Sequence, residues 1–312
     1  MTTRALSTLL GCIAAFALVG AGCGGGDDGE SGGGTITIDG SSTVGPFATR
    51  ASEDFRADNP DVRITVGVSG TGGGFERFCA GETDVSDASR PIDEDEVALC
   101  EESGVEYVEL RVATDALTNI VNTENDWGTC LTVEQLSAIW KPGSKVSNWN
   151  QVDPSFPDSP LKLYGPGTDS GTFDYFTDVV NGEEGASRTD FSASEDDNVI
   201  VQGVSGDEGG LGYLGFSYYE ENQDKLKALE VDGGQGCVAP SVEAAQNETY
   251  TPLSRPLFMY VSTSALADNG SLADFLRVTL ENEESIAEAS RVVPMSQEQI
   301  DVEVQKLEDA TS

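Results

Sequence analysis

The sequence predicts an α/β protein, because short runs of β-branched residues alternate with amphipathic segments along most of the chain. Its 312 residues are enough for two lobes of about 150 residues each. Hydrophobic residues make up 38% of the chain, which supports a packed globular body. Loops rich in glycine and hydroxyl side chains follow several of the predicted strands.

The predicted elements of the first half alternate between strands and helices. Phe47, Ala51 and Phe55 recur on one face and predict a helix over 46–59, with a proline at its start. Acidic residues at the beginning of 93–102 suit the positive end of a helix dipole. The other elements of this half are strands over 35–38, 62–68, 105–112 and 117–122, and a short helix over 73–80.

The second half continues the same alternation. Thr132 followed by Gln135 is a capping-box pattern and predicts a helix over 132–140. The other elements are strands over 161–164, 211–214 and 256–261, and helices over 173–180, 198–204, 271–281 and 297–309. The sequence contains no visible internal repeat.

The N-terminal segment has the pattern of an export signal. Residues 1–22 carry one positive charge, then an uncharged apolar run over 5–19, and end in small residues directly before Cys23. The apolar run is too short for a membrane-spanning helix, and acidic residues follow it. We therefore expect a signal peptide over 1–22, a lipid on Cys23, and a flexible, glycine-rich acidic tether over 23–34.

Two alternatives at the N-terminus stay open. Cys12 has the better local sequence for lipidation, but too little apolar chain precedes it. The other alternative is ordinary cleavage near Gly22 without a lipid. The tether next to Cys23 favours the anchored form.

Four cysteines follow this segment, and an even number in an exported chain predicts two disulfides. Three pairings are possible. We favour the pairing that closes a short loop and keeps the other bond within one lobe, namely Cys79 with Cys100 and Cys130 with Cys237. A zinc site is the weaker alternative, since the chain has no CxxC spacing and no histidine.

Charge and composition exclude several classes of function. The formal net charge of −38 disfavours nucleic acid and anionic membrane surfaces as partners. The absence of histidine excludes Ser-His-Asp and Cys-His catalysis and removes the commonest ligand for transition metals. No nucleophile elbow and no phosphate loop of the GxxxxGK[ST] type is present. Composition alone does not exclude a hydrolase based on carboxylates, but no pair of acidic residues has a distinctive context.

Three segments place glycines and hydroxyls at the start of a predicted helix: 39–46, 68–75 and 164–173. The first-turn amides of a helix are unpaired and carry the positive end of its dipole, so such a terminus attracts an anion. Each loop alone is equally compatible with ordinary helix capping. Three of them at strand ends indicate an anion site, because α/β folds bind ligands at the carboxyl ends of their strands.

A fourth segment, 81–92, places Arg90 among small polar residues. A guanidinium group suits bidentate binding of an oxyanion. The alternative is a surface ion pair between Arg90 and Asp87 or Asp84, which would contribute little.

Together these segments resemble the phosphate-binding proteins of bacterial phosphate ABC transporters. The resemblance rests on Gly-Ser-Ser-Thr-Val at 40–44, Ser-Gly-Thr-Gly-Gly at 69–73, Ser-Asp-Ala-Ser-Arg-Pro at 86–91 and Gly-Thr-Asp-Ser-Gly-Thr at 167–172. Pro-Leu-Ser-Arg-Pro-Leu at 252–257 resembles that family's return crossing between lobes. The resemblance covers the chain from Thr35 to about Met295.

The resemblance implies a two-lobed periplasmic-binding-protein fold of type II, with two crossovers and phosphate in the cleft between the lobes. The first lobe would comprise 35–115 and 254–312, and the second 116–253. The protein would be a monomer that hands inorganic phosphate to a membrane permease, without enzymatic activity, metal or cofactor.

Carried over by position, the resemblance also implies the binding residues. Better-known members place an arginine before the third loop, where this chain has Pro166, so we expect Arg90 to supply the guanidinium. Ser89 lies near the position where other members have an aspartate. Asp87 and Asp169 are the candidates for accepting the proton of the ligand or for orienting Arg90. The full set expected around the anion is Ser42, Thr43, Ser69, Thr71, Ser89, Arg90, Ser170, Gly171 and Thr172.

Three other functions remain open at this point. The chain could be a receptor for another tetrahedral oxyanion, such as sulfate or molybdate. It could be a surface phosphatase that uses one of the loop serines, although the lack of histidine argues against this. It could also be an adhesin whose cleft binds nothing.

Overall fold

The computed structural model describes residues 34–312. The predicted signal peptide, Cys12, Cys23 and all of the predicted tether except Gly34 lie outside the described residues. Within 34–312, no helix has both the length and the apolar character needed to cross a membrane.

The described chain forms a mixed α/β fold. Its strands are β1 (Thr35–Gly40), β2 (Arg63–Val66), β3 (Val85–Ala88), β4 (Tyr107–Asn122), β5 (Cys130–Thr132), β6 (Lys162–Gly165), β7 (Ser192–Ala193), β8 (Gly210–Gly215), β9 (Leu226–Ala228), β10 (Glu230–Asp232), β11 (Cys237–Val238) and β12 (Ser254–Ser262). Its helices are α1 (Gly45–Asp58), α2 (Thr71–Cys79), α3 (Glu94–Ser103), α4 (Val133–Trp140), α5 (Gly171–Asn181), α6 (Asp197–Ser205), α7 (Phe216–Glu220), α8 (Val242–Gln246), α9 (Thr263–Asp268), α10 (Gly270–Glu281), α11 (Glu283–Ala289) and α12 (Gln297–Ala310). A 3-10 helix covers Trp149–Gln151.

Every predicted strand and helix is present, and most ends agree within two residues. The capping box of Thr132 and Gln135 forms at the start of α4, as predicted. One prediction was wrong in detail, because the two strands expected over 105–112 and 117–122 are the single strand β4. The sequence analysis also missed β3, since a central strand that carries Ser86 and Asp87 lacks the usual apolar pattern.

The main sheet has the order β2-β1-β3-β12-β4-β8-β6-β7, with β9 paired to β4. β1 pairs in parallel with β2 and β3, whereas β12 is antiparallel to both β3 and β4. The first part of β4 pairs with β12 and its last part pairs with β8 and β9. A small separate sheet has the order β11-β10-β5. The two long strands β4 and β12 therefore pass from one half of the molecule to the other.

Two large hydrophobic clusters lie on either side of this passage. One combines N-terminal and C-terminal parts of the chain, with Phe47, Met259 and Phe275 among its buried members. The other is formed between Leu117 and Leu253 and is centred on aromatic side chains such as those of Trp140, Phe176 and Tyr213. Each half thus has its own core, which confirms the two-lobed α/β fold.

Two disulfides are present, with the pairing favoured above. Cys79 is bonded to Cys100 and ties the last turn of α2 to α3. Cys130 is bonded to Cys237 and ties β5 to β11 within the second lobe. Both cysteines of the first pair are fully buried, so this disulfide is shielded from water.

Asp87 is a fully buried carboxyl group in the middle of the main sheet. It lies on β3 between Gly40 of β1 and Met259 of β12, and neither carboxyl oxygen has a hydrogen-bond partner among residues 34–312. Burial raises the pKa of Asp87 well above its ordinary value, and the nearby carboxylate of Asp39 raises it further. Asp87 is therefore neutral under conditions in which an exposed aspartate is charged.

Loss of the Cys130–Cys237 bond should lower the free energy of unfolding. The bond joins residues 107 positions apart, and closing a loop of that length contributes about 4 to 5 kcal/mol. Urea denaturation of the Cys130→Ser/Cys237→Ser variant should show this loss. Neither cysteine is fully buried, so lost packing adds little. A loss below about 1 kcal/mol would contradict the loop-closure account.

Substitution of Asp87 by asparagine should change how stability depends on pH. A carboxyl group whose folded pKa is raised contributes stability that is complete below its unfolded pKa of about 4 and is lost as the pH rises through the folded pKa. Asparagine cannot ionise and avoids this loss. The midpoint of thermal unfolding of Asp87→Asn, relative to the unmodified protein, should therefore rise between pH 4 and pH 8. Asp169→Asn, at an exposed position, is the control for the loss of one carboxyl group. A flat difference for Asp87→Asn would refute the idea.

Candidate functional site

A cleft with a volume of about 600 Å³ lies where the two lobes meet. It is lined by 41–43, 69–73 and 89–91 from the first lobe, by Gly171, the α5 face behind it and Glu184 from the second lobe, and by Thr251, Pro252 and 254–256 at the return crossing. Seven of the nine expected binding residues are among them: Ser42, Thr43, Ser69, Thr71, Ser89, Arg90 and Gly171.

The first loop is fixed by backbone contacts at the end of β1. Gly40 has a φ of 145°, and a Cβ atom there would lie 2.1 Å from the carbonyl oxygen of Asp87. Only glycine fits this position. The amide of Ser41 donates to the same carbonyl at 2.9 Å, and the amide of Thr43 donates to Ser41 Oγ at 3.2 Å. The turn presents Ser42 and Thr43 to the cleft ahead of α1.

The second loop is attached to the first. The amides of Ser69 and Gly70 both donate to the carbonyl of Gly40, at 3.1 and 2.9 Å. Thr71 then begins α2, and its hydroxyl accepts from the amide of Ser89 at 3.2 Å and contacts Ser89 Oγ at 3.1 Å. Because the first amides of α2 have no partner within the helix, they are free to donate into the cleft.

The third loop begins α5 in the second lobe. The hydroxyl of Ser170 caps the helix by accepting from the amide of Thr172 at 3.3 Å. Neither Ser170 nor Thr172 lines the cleft, whereas Gly171 does. A Cβ atom on Gly171 would lie 3.0 Å from Thr43 Oγ1 and 3.3 Å from Ser42 Oγ. The start of α5 thus touches the first loop across the cleft.

Arg90 lines the cleft but is already paired with carboxylates. Its Nη1 and Nη2 donate to both oxygens of Glu96 at 2.7 Å, and Asp93 lies at 3.6 Å. Glu96 is itself positioned by the capping box that begins α3. The alternative of an ion pair with Asp87 or Asp84 was wrong in its partners, because the carboxylates that pair with Arg90 are those of Glu96 and Asp93. The hydrogen bond with Glu96 raises the pKa of Arg90.

The sequence analysis did not identify Arg255 as a site residue. Arg255 lines the same cleft, and its Nη2 donates to Thr43 Oγ1 at 3.2 Å. Its Nε donates to Asp115 at 3.2 Å, and its guanidinium carbon lies 3.7 Å from the centre of the Tyr175 ring. The one sequence feature that could have pointed to Arg255 is its place in the segment at 252–257, which resembles a return crossing between the lobes.

The two aspartates proposed as proton acceptors lie outside the cleft lining. Asp87 is buried beneath the first loop, and Asp169 is exposed. Three other carboxylates line the cleft from the second lobe, namely Asp174, Asp178 and Glu184. Asp174 is half-buried, and burial raises its pKa, as does Glu184, while Arg255 lowers it.

This arrangement can hold an oxyanion without covalent chemistry. Backbone amides at the starts of α2 and α5, hydroxyl groups and two guanidinium groups converge on one volume. Among residues 34–312, one group of side chains comes within the distances of metal ligands, formed by Cys130, Glu230 and Cys237. Its two sulfur atoms form a disulfide, so they are not available as thiolates.

Comparison with known proteins shows the family of this chain. Residues 26–283 match the family described as PBP superfamily domain. Protein SphX of Synechocystis is 49% identical over 266 residues, which cover 85% of this chain and 79% of that protein. The phosphate-binding protein PstS of Staphylococcus saprophyticus is 40% identical over 300 residues, which cover 95% of this chain and 92% of that protein.

A solved structure is similar over nearly its whole length. The crystal structure of a possible phosphate binding protein from Planctomyces limnophilus shares 44% identity and a TM-score of 0.84, covering 89% of this chain and 99% of that chain. The superfamily match and the full-length similarity to PstS extend over both lobes and all of the cleft-lining segments. The chain therefore belongs to the PBP superfamily and, within it, to the family of the PstS phosphate-binding proteins.

Proposed function

We propose that the protein captures inorganic phosphate outside the cytoplasm and delivers it to the permease of a phosphate ABC transporter. The observation that carries this function is the convergence of two helix N-termini, two arginines and the hydroxyl groups of the expected binding residues on one interlobe cleft. Relatives named for phosphate binding, at 40% identity over nearly the whole chain, support phosphate as the ligand. No catalytic step is part of the proposal.

In this proposal the first lobe provides most of the groups that donate hydrogen bonds to phosphate. Hydroxyls of the first two loops and of Ser89 donate to phosphate oxygens, together with the unpaired amides at the start of α2. Gly171 adds the amide end of α5 from the second lobe, and Ser170 and Thr172 act as the cap that orients this helix rather than as direct ligands. Arg90 contributes its guanidinium group from the rim of the cleft.

Export and anchoring are part of the same proposal. The apolar segment before Cys23 supports secretion, and the tether that follows supports a lipid anchor on that cysteine. Two disulfides in the folded chain fit an oxidising compartment. We propose that the protein works as a monomer on the outer face of the cytoplasmic membrane.

Calorimetric titration of the full-length protein tests the ligand. Phosphate should bind at micromolar or lower concentrations, and sulfate should bind far more weakly. Arg90→Ala should weaken phosphate binding by about 2 kcal/mol, the value of a hydrogen bond to a charged group. Arg63→Ala is the control, because Arg63 is exposed at the start of β2 and outside the cleft lining.

The possible results test the identity of the ligand and the role of Arg90 separately. Absence of binding heat with phosphate, or equal affinity for sulfate, would overturn the proposed function. Unchanged affinity in Arg90→Ala would remove only Arg90 from the site.

Substitution of Gly171 by alanine tests the close contact between the lobes. The added methyl group would press on Thr43 and Ser42 at 3.0 to 3.3 Å, and such overpacking costs about 1 to 3 kcal/mol. Phosphate affinity should therefore fall about tenfold or more. Gly270→Ala is a matched control, because Gly270 also begins a helix but faces open space. Equal affinities for the two variants would show that the lobes do not need this contact.

A further inference from the structure

We propose that Glu248 and Arg291, two charged residues outside the cleft lining, are positioning residues that hold the lobes in the arrangement in which they touch across the cleft. Given the proposed function, on which this effect rests, they raise the affinity for phosphate without contacting it. The two residues share an unusual backbone conformation, and each forms an ion pair that joins one lobe to the other.

The backbone is left-handed at both positions. Glu248 and Arg291 are the two residues other than glycine with a positive φ within 34–312, at 59° and 64°. Each lies just past the end of a helix, α8 for Glu248 and α11 for Arg291. The amide of Arg291 donates to the carbonyl of Glu288, and the next amide donates one residue further back, to Ala287. Glu248 shows the same two bonds, so both helices end in a Schellman motif, whose left-handed position is usually glycine.

Glycine would be the more favourable residue at these two helix ends. At the ends of α3 and α5 the left-handed position is held by Gly104 and Gly182, with φ of 70° and 81°. A residue with a Cβ atom is strained in this conformation, whereas glycine is not. Such strain persists where the surrounding structure uses the side chain for another purpose. The side chains at 248 and 291 therefore indicate a role beyond ending a helix.

Both side chains reach the opposite lobe. Glu248, in the second lobe, accepts from Arg111 Nη1 on β4 of the first lobe at 2.8 Å. Arg291, in the first lobe, pairs with Glu221 at the end of α7 in the second lobe at 2.5 Å. The guanidinium carbon of Arg291 also lies 4.5 Å from the centre of the Tyr218 ring. The side chain of Arg111 is only 12% exposed, so its ion pair is screened less than one on the surface.

Neighbouring residues add further contacts between the same parts of the two lobes. Val293 of the first lobe packs with Ala245 of the second in a small hydrophobic cluster. Gln246 donates through Nε2 to the carbonyl of Pro294 at 2.8 Å, and its own carbonyl accepts from Gln299 Nε2 at 2.9 Å. None of these five residues lines the cleft. The ends of α8 and α11 are thus attached to the opposite lobe independently of the ligand site.

These contacts coexist with contact between the lobes across the cleft, where Gly171 lies against Thr43. Contacts that are made in one arrangement of the lobes stabilise it relative to the others. A ligand that needs groups from both lobes binds more weakly in proportion as the competent arrangement is less populated. Loss of the contacts at 248 and 291 should therefore lower phosphate affinity although every group that lines the cleft remains.

Glu248→Gly and Arg291→Gly remove the side chains and leave the residue that this backbone favours. The midpoint of thermal unfolding should therefore not fall. Calorimetric titration of the full-length protein with inorganic phosphate should show affinity about threefold lower in each variant and about tenfold lower in the double variant, because distant sites act additively. Small-angle X-ray scattering without phosphate should show a larger radius of gyration for the double variant than for the unmodified protein.

Two further variants separate the contact from the backbone and from a general effect of charge. Glu221→Gln removes the ion pair of Arg291 from the second lobe and leaves the backbone at 291 unchanged, so it should also weaken phosphate binding. Arg50→Ala is the matched control, because Arg50 forms an exposed ion pair with Asp54 inside α1 of the first lobe. It should leave both the affinity and the radius of gyration unchanged.

The results distinguish the positioning role from the function on which it rests. If the unmodified protein binds no phosphate, the proposed function fails, and the radius of gyration of the ligand-free variants still tests whether the two residues hold the lobes. If phosphate binds and the double glycine variant matches the unmodified protein in affinity and radius, the positioning role is refuted. Weaker binding together with a lower unfolding midpoint would assign the two side chains to the stability of their helix ends, which also refutes it.

Discussion

The binding cleft depends on a small set of backbone hydrogen bonds at the ends of β1 and β3. The carbonyl of Gly40 accepts from two amides of the second loop, and the carbonyl of Asp87 accepts from the first amide of the first loop. These bonds are between backbone atoms, so they fix the relative position of both loops independently of the side chains in the cleft. A side chain at Gly40 would collide with the Asp87 carbonyl. The donors of the first two loops are positioned by this junction.

Two buried aspartates, Asp39 and Asp87, lie next to this junction, and each is tolerated for a different reason. Asp39 is buried, and it is compensated by the guanidinium group of Arg77 at 2.5 Å and by the amide of Gly40 at 2.8 Å. Asp87 has no such partner within the described chain and is kept neutral by burial. The charge of −38 on the whole chain acts differently, because exposed charges are screened over about 8 Å at physiological ionic strength. Short-range donors therefore decide what the cleft binds.

The features that could be predicted from the sequence are those that depend on residues close together in the chain. Acidic first turns, a capping box, glycine-rich turns and apolar periodicity are local patterns, and they predicted α3, α4 and the three loops at helix starts. The site residues that it missed depend on distant contacts, such as that of Arg255 with Thr43 across 212 positions. The partner of Arg90 was missed for a related reason: Asp87 is nearer in sequence than Glu96, but strand β3 turns it into the core. The roles of the expected ligands in binding stay predictions.

The crossing strands link ligand contacts to the arrangement of the lobes. Asp115 and Arg255 face each other where β4 and β12 pass between the lobes. On the other side of this crossing, Val293 pairs with Thr114 and packs with Ala116 and Phe216. The C-terminal segment thus packs against the strands next to the crossing. Because Arg255 also contacts Thr43 of the first loop and Tyr175 of α5, one side chain connects the crossing strands, the first loop and the second lobe.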